Sequence, residues 1–326
     1  MPASPEDHRW LEAAARLAAR GVPLSRPNPA VGAILVKHGK VVGRGWTQAG
    51  GRPHAEAMAL AQAGDAANGA TLYVTLEPCA HASARGPACA ELTAAAGLAR
   101  LVVGCEDPDI RTAGTGMGHV RATGTPVTLA NNAASRASLA GYLTRTHHGR
   151  PHVTLKLALS LDGCIAMADG QSQWITGDPA RAHTHALRAR MDAILVGTGT
   201  LRADRPRLDV RLPGLVQRSP ARWLLTHGTA PDGWTALSSP QAIHHHPEAQ
   251  YLLVEGGAQT AAAFLKADLV DRLAIYRAPI LIGAGKPGLA DLGLATLADA
   301  HARWTLAERR SLGSDGLEVY ERQRST

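Results

Sequence analysis

The chain of 326 residues contains a single Phe, and aromatic residues make up only 4% of it, too few to line a nucleic-acid groove with stacking platforms. No run of five or six basic residues occurs, although Lys and Arg outnumber Asp and Glu by 34 to 27. The surplus of +7 therefore fits the handling of phosphorylated small molecules better than the wrapping of a polyanion. Four cysteines, Cys79, Cys89, Cys105 and Cys164, are too sparse for a disulfide framework in a chain of this length. No apolar stretch approaches the roughly 18 residues of a membrane span. No basic segment precedes an apolar core at the N-terminus either, so the cytoplasm is the expected compartment.

What is present is an alternation of strand and helix signals in two series, the mark of an α/β protein. VGAILV (31–36), KHGK as a turn and VVGRG (41–45) read as a hairpin. A helix over 54–63, strands over 71–76 and 100–105, a short helix over 88–96 and a helix over 133–146 complete the first series. The polar stretch HHGRP (147–151) reads as a linker, placing one domain at 1–146 and a second at 150–326. The second series has strands at 152–159, 193–197, 222–226, 251–255 and 272–279, with helices over 179–190 and 258–267. Residues 227–250, rich in Pro, Ser, Gly and His, read as a loop. With 45% hydrophobic residues, each domain can bury a core.

The chemistry concentrates in PHAEA (53–57) and TLEPCAHASARGPACA (75–90). A catalytic zinc takes three protein ligands and keeps a fourth position open. His54, Cys79 and Cys89 are the residue types for such a site, and two thiolates balance the metal's charge. Pro53 suits a helix start, and in the first turn Glu56 can stand over the metal position as a proton shuttle. Cys79 and Cys89 lie farther apart than the Cys-x-x-Cys of a zinc deaminase signature. The longer loop costs only about 1 kcal/mol of closure entropy, against roughly 10–16 kcal/mol for structural zinc binding. The intervening His81, Ser83 and Arg85 read as a polar clamp beside the open position. Cys105 and Cys164 read as buried small hydrophobes, and the HHH run at 244–246 as surface.

In the second series, VEGGAQTAAAFL (254–265) is a strand, two glycines and a helix, and LVGTGT (195–200) a second strand ending in a Gly-rich turn. Two such turns in one small domain suit the phosphates of a dinucleotide. Neither turn reads Gly-x-Gly-x-x-Gly, so a standard Rossmann site is disfavoured. Lys156 falls mid-strand and is costly to bury unless it meets an anion or a substrate.

PNPAVGAILV (27–36), PHAEAMAL (53–60), GATLYVTLEPCAH (69–81) and DP (107–108) resemble the deaminase half of the bifunctional riboflavin biosynthesis deaminase–reductases. GRPHVTLKLALSLDG (149–163), GQSQWITG (170–177), LRARMDAILVGTGTLRAD (187–204) and VEGGAQTAAAFL resemble the reductase half, in the same order. The resemblance implies a cytidine-deaminase-like domain followed by a dihydrofolate-reductase-like domain. It implies zinc-dependent deamination of a diamino-ribosylaminopyrimidinone 5′-phosphate, then NADPH-dependent reduction of the ribosyl group to ribityl. Carried over by position, it assigns zinc to His54, Cys79 and Cys89, the proton shuttle to Glu56, and substrate contacts to Asn28 and Arg85. It assigns NADPH to Ala158, Trp174, Thr200, Asp204 and the turn Gly257, Ala258, Gln259, Thr260, Ala261, Ala262 and Ala263. Substrate falls to Ser172, Arg188, Leu208, Arg211 and Glu255, with Lys156 as a further candidate.

The chain departs from the family pattern in one extra residue between Cys79 and Cys89, in Gly86-Pro87-Ala88, in Thr47 where relatives carry His, in Cys164 and in Thr226. Residue 47 and the loop are expected to face substrate, so these changes bear on the clamp and not on the metal. Self-association is also expected. Two further readings are a zinc deaminase of another base or of nucleic acid, and a non-catalytic descendant serving as a binding protein. The cofactor-like turns of the second half argue against the first. Intact Glu56 and all three ligands argue against the second.

Overall fold

The computed structural model describes residues 2–81, 83 and 85–324. The chain divides into two compact units, 1–149 and 150–326.

In the first unit, α1 (Pro5–Ala18) opens on a capping box. The Asp7 N–H donates to Ser4 Oγ, and the Ser4 N–H donates to Asp7 Oδ2, so two orphan amides are satisfied at once. Strands β1 (Gly32–Lys37), β2 (Lys40–Trp46), β3 (Thr71–Val74), β4 (Arg100–Val103) and β5 (Val127–Leu129) form one sheet in the order β2-β1-β3-β4-β5. β1 runs antiparallel to β2 and β3, whereas β3, β4 and β5 are parallel. Both faces are covered, as buried parallel strands require. Leu35, Leu72, Leu101 and Val103 meet α2 (Ala55–Ala63) and α4 (Thr115–Ala122) on one side. Ile34, Tyr73 and Val102 lie under Leu11 and Ala14 of α1 on the other. The unit also contains α3 (Cys89–Ala95), α5 (Ala133–Ser138) and α6 (Ala140–His148).

In the second unit, the main sheet takes the order β10-β9-β8-β11-β6-β12-β15-β14. Its strands are β6 (His152–Leu159), β8 (Ala193–Gly197), β9 (Ala221–Leu225), β10 (Trp234–Leu237), β11 (Tyr251–Val254), β12 (Arg272–Arg277), β14 (Trp304–Leu312) and β15 (Asp315–Arg322). From β10 to β12 the pairing is parallel, and β15 and β14 add an antiparallel edge. A small ribbon joins β7 (Cys164–Ala166) to β13 (Lys286–Pro287). Helices α7 (Asp178–Arg188), α8 (Thr198–Asp204) and α9 (Ala258–Lys266) complete it. The C-terminal ends of β6, β8 and β11 lie side by side, where open α/β sheets hold ligands.

The elements depart from the sequence expectation in several places. Helix α4 carries two glycines in TGMGHVRA and therefore a weak helical signal. The helix expected over 133–146 is two helices, because Leu139 leaves helical geometry between them. His147 and His148 of the expected linker end α6, and Gly149 closes it at φ 63°. Within the expected loop 227–250 the chain forms β10 and a 3-10 turn whose Ile243 is fully buried.

Candidate active sites

His54 is the N-cap of α2, which puts Glu56 in the helix's first turn, and Cys89 is the first residue of α3. Cys79 follows the end of β3, in the strand-to-helix connection. The His54 Nδ1 stands 3.2 Å from Cys89 Sγ and 3.5 Å from Cys79 Sγ. All three donor atoms lie within 4.8 Å of one another. Tetrahedral zinc with ordinary Zn–S and Zn–N bonds spaces a sulfur and a nitrogen about 3.6 Å apart. The residues therefore fit that metal in donor type and spacing. The Cys89 N–H points at Cys79 Sγ (3.4 Å), which helps to hold the sulfur in place. The Asn28 amide donates to Gly51 O (2.9 Å) and its nitrogen stands 3.1 Å from His54 Nε2, on the ring edge away from the sulfurs.

The electrostatics of the cluster are shared. The Cys79 thiol is held far below the ordinary range, first by the hydrogen bond from Cys89 and then by His54. Cys89 is driven upward by the same partner, by burial and by Glu56, so the two sulfurs of the metal-free pair share one proton. Burial pushes Glu56 up to about 7, against the opposing charge of His54. With 3% exposure it is a carboxyl group poised to take or give a proton near neutrality.

Behind the ligands, Glu77 of TLEPC accepts hydrogen bonds from the N–H groups of Gly114 (3.0 Å) and Met117 (2.9 Å) at the start of α4. Gly116 lies so near Pro78 that a Cβ there would come 1.9 Å from the Pro78 carbonyl oxygen. Helix α4 is thus seated directly on the strand end that delivers Cys79. Sequence reasoning missed this support, although the acidic residue in the motif was its signal.

The clamp differs from expectation. Thr47 is 1% exposed and its Oγ1 accepts the Val31 N–H (3.0 Å). Residue 47 is turned into the core, where β2, ending at Trp46, leaves its side chain against the start of β1. Arg85 donates from Nη2 to Gly50 O (2.7 Å), and Arg52 from Nη1 to Pro87 O (3.3 Å). The buried Nδ1 of His81 has no hydrogen-bond partner among the described residues. Ala82 lies outside them.

In the second unit, Glu255 follows β11 and meets Arg188 of α7 in a two-pronged pair of 2.7 and 2.9 Å. Burial pushes the Glu255 carboxyl upward, but the Arg188 fork outweighs it, with Lys156 and His185 adding, and the net direction is down. Lys156 is pushed down by burial, with Glu255 opposing, and its Nζ lies 5.5 Å from the centre of the Tyr276 ring. Mid-strand Lys156 therefore lies in the field of the Glu255 carboxylate and over an aromatic ring. The Arg188 fork is spent on Glu255, whereas the Arg211 side chain is 53% exposed beside Asp209. Leu208 is 3% exposed in the core with φ 56°, so only its backbone can reach a ligand.

The two Gly-rich turns are tied together. The Gly257 N–H donates to Thr200 Oγ1 (3.1 Å), joining the N-termini of α9 and α8. Thr260 packs between the turns, where a Cβ on Gly197 or Gly256 would strike it at 2.2 or 2.4 Å. Thr260, Ala261 and Ala262 are buried, so these residues can serve a ligand only through the backbone. Around Gly199 a Cβ would meet nothing within 4 Å, which leaves open space against the turn. Ala158, Ala258 and Ala263 are half-buried, while Gln259 and Asp204 are exposed. Trp174 is 63% exposed with the Arg181 guanidinium 4.9 Å from its ring centre, and Ser172 lies half-buried two residues before it.

A three-donor thiolate–imidazole pocket with a protonatable glutamate, followed by a parallel-sheet unit with paired Gly-rich turns, defines a zinc-type deaminase fused to a reductase. Residues 4–105 match the cytidine and deoxycytidylate deaminase zinc-binding region, and residues 151–235 and 241–317 match the RibD C-terminal domain. The chain is 37% identical to the riboflavin biosynthesis protein RibD of Haemophilus influenzae, over 96% of each chain. It is 39% identical to RibD of Corynebacterium ammoniagenes over 85% of this chain and 87% of that one. The solved structure of Acinetobacter baumannii RibD matches with a TM-score of 0.85 at 33% identity, over 98% and 99% of the two chains. A Thermotoga maritima diaminohydroxyphosphoribosylaminopyrimidine deaminase/5-amino-6-(5-phosphoribosylamino)uracil reductase matches with a TM-score of 0.85 at 28% identity, over 97% and 99%. The chain belongs to the RibD family of bifunctional deaminase–reductases of riboflavin biosynthesis. Its first domain is cytidine-deaminase-like and its second is the family's dihydrofolate-reductase-like domain. Among the described residues no helix is long and apolar enough to cross a membrane.

Proposed function

We propose that the first unit deaminates 2,5-diamino-6-ribosylamino-pyrimidinone 5′-phosphate with zinc held by His54, Cys79 and Cys89, and that the second reduces the product's ribosyl group with NADPH. The observation that carries the first half is the convergence of three donor atoms within 4.8 Å beside a glutamate poised near pH 7. Zinc, when bound, supplies the Lewis acidity that makes water nucleophilic near neutrality. Glu56 takes the proton from the attacking water and returns it to the departing amine. Asn28 packs against the edge of the His54 ring away from the sulfurs. The buried setting excludes bulk water from the proton transfer.

In the second half, the first turns of α8 and α9 offer backbone N–H groups to the cofactor's phosphates, joined through Thr200. NADPH supplies the hydride. Ring opening of the ribosylamine exposes C1′ as an imine carbon, which accepts the hydride while the nitrogen takes a proton. Glu255, held ionised by Arg188, faces Lys156, and this pair positions the sugar and supplies the proton. Arg211, with its guanidinium exposed, is the group for the phosphate, and Arg188 is the residue that fixes Glu255. We place the protein in the cytoplasm, as a self-associating enzyme.

The test is Glu56→Gln on the purified chain. Zinc content should stay at parental level while ammonia release from the diamino substrate falls by at least a thousandfold. Loss of zinc with this change would make Glu56 a ligand and overturn the assignment of roles.

A further inference from the structure

Two arginines bridge the segments that flank the metal donors, in opposite directions. Arg52, two residues before His54, reaches over to the carbonyl of Pro87, two residues before Cys89. Arg85, on the same bank as Pro87, reaches back to the carbonyl of Gly50. Both guanidinium groups therefore lie over the gap between the segments that supply His54 and Cys89. A guanidinium has five N–H donors, and each of these uses one on a backbone carbonyl. Among the described residues neither is ion-paired with a carboxylate, in contrast to Arg100, Arg150 and Arg188. The acid in the pocket, Glu56, is 3% exposed and engaged with Cys89. Between the arginines, Gly86 has φ 137°, and a Cβ there would stand 3.3 Å from Arg52 Nη1, so the backbone leaves room for the crossing.

Two cations with unspent, fork-shaped donors facing one gap call for an anion with several acceptor oxygens, and a phosphate monoester matches them better than a single carboxylate. No aromatic residue occurs between 80 and 90 to stack a base, which favours a small phosphorylated molecule over a polynucleotide. We propose that Arg52 and Arg85 form the phosphate-recognition site of the deaminase unit, and that Arg52 is the specificity-determining residue of this chain. The inference rests on the reading that this unit acts on a phosphorylated pyrimidine.

The experiment compares parent, Arg52→Ala and Arg52→Lys as full-length, zinc-loaded chains. Ammonia release is measured with the pyrimidine 5′-phosphate and with its dephosphorylated riboside, and inorganic phosphate binding is titrated by calorimetry. Loss of a charge-assisted contact should lower the ratio of kcat/KM for phosphate over riboside about 10- to 100-fold in Arg52→Ala, through KM. Arg52→Lys should recover part of it, and zinc content should match the parent. Phosphate binding should be weakened in Arg52→Ala by the same order. An equal fall for both substrates would assign Arg52 to fastening the loop through Pro87 and overturn the proposal, as would an unaltered ratio. If the parent deaminates neither pyrimidine yet loses phosphate binding with Arg52→Ala, the functional reading fails and the anion site stands. If the parent binds no phosphate, the site itself is refuted.

Discussion

Replacing Gly116 by Ala adds one methyl group at the junction of α4 with the strand end that carries Cys79. The new Cβ would stand 1.9 Å from Pro78 O, 3.1 Å from Pro78 C and 3.3 Å from Glu77 Cγ. Ordinary contact begins at about 3.5 Å, so α4 or Pro78 must move by more than an ångström. The obstructing atom is backbone and cannot rotate away. Overpacking of this kind costs about 1–3 kcal/mol. A shift of α4 also stretches the Gly114 and Met117 bonds to Glu77, now 3.0 and 2.9 Å, beyond hydrogen-bond range. Bonds to a charged group contribute about 1.5–3 kcal/mol each, so with both bonds lost a total of about 4–9 kcal/mol is expected. For a unit of 149 residues that lowers Tm by about 10 °C or more. Zinc should also be surrendered to a chelator more readily, because Pro78 precedes Cys79. Gly118→Ala is the control: it lies in the same helix, and a Cβ there would meet nothing within 4 Å. That change should be neutral or stabilise by up to about 1 kcal/mol through helix propensity. Scanning calorimetry of the zinc-sensitive transition, with a chromophoric chelator competition, reads both. A parental Tm and chelation rate for Gly116→Ala, or an equal loss in Gly118→Ala, would refute the reasoning.

Three further outcomes are expected. Arg188→Ala strands the Glu255 carboxylate with Lys156 alone. Ribosyl reduction should fall at least a hundredfold, and the second unit should lose about 3–5 kcal/mol, as for a broken buried pair, while ammonia release stays within twofold; product masses and NADPH oxidation read this. His152, 5% exposed, is held down to about 4 by burial, against the pull of Asp271. A histidine whose folded value is depressed gives full stability above about 6.5 and loses it as the pH falls toward 4, because unfolding takes up the proton; the loss is about 3 kcal/mol, and urea titrations of His152→Gln should show a flatter dependence over that window. Thr47→His forces an imidazole into a buried position beside Gly21, so it should destabilise by about 2–3 kcal/mol and leave the deaminase KM for the pyrimidine 5′-phosphate no lower, as denaturation and steady-state kinetics would show.

Much of this molecule was legible in one dimension because the signals were local. The parallel strands β4, β8 and β11 are nearly continuous apolar runs, as buried parallel strands must be, and the alternation of such runs with helices is enough to infer two α/β units. The metal donors were legible because residue type carries their chemistry, and because Pro53 and the Cys89 segment mark helix starts at which side chains converge. The ion pair between Glu255 and Arg188 was not legible: both residues could be marked as substrate contacts, but their meeting depends on α7 folding back over the end of β11. The hairpin of β14 and β15 escaped notice because TLAERRSL lies at an exposed sheet edge, where no face must be apolar and no alternation is imposed. The inward turn of Thr47, the seating of α4 on Pro78 and the crossed arginines belong to the tertiary structure alone. Sequence by itself determined which groups can bind a metal, move a proton or hold an anion. Only the packed backbone decided which of them face the same space, because that direction is set by contacts between segments far apart along the chain.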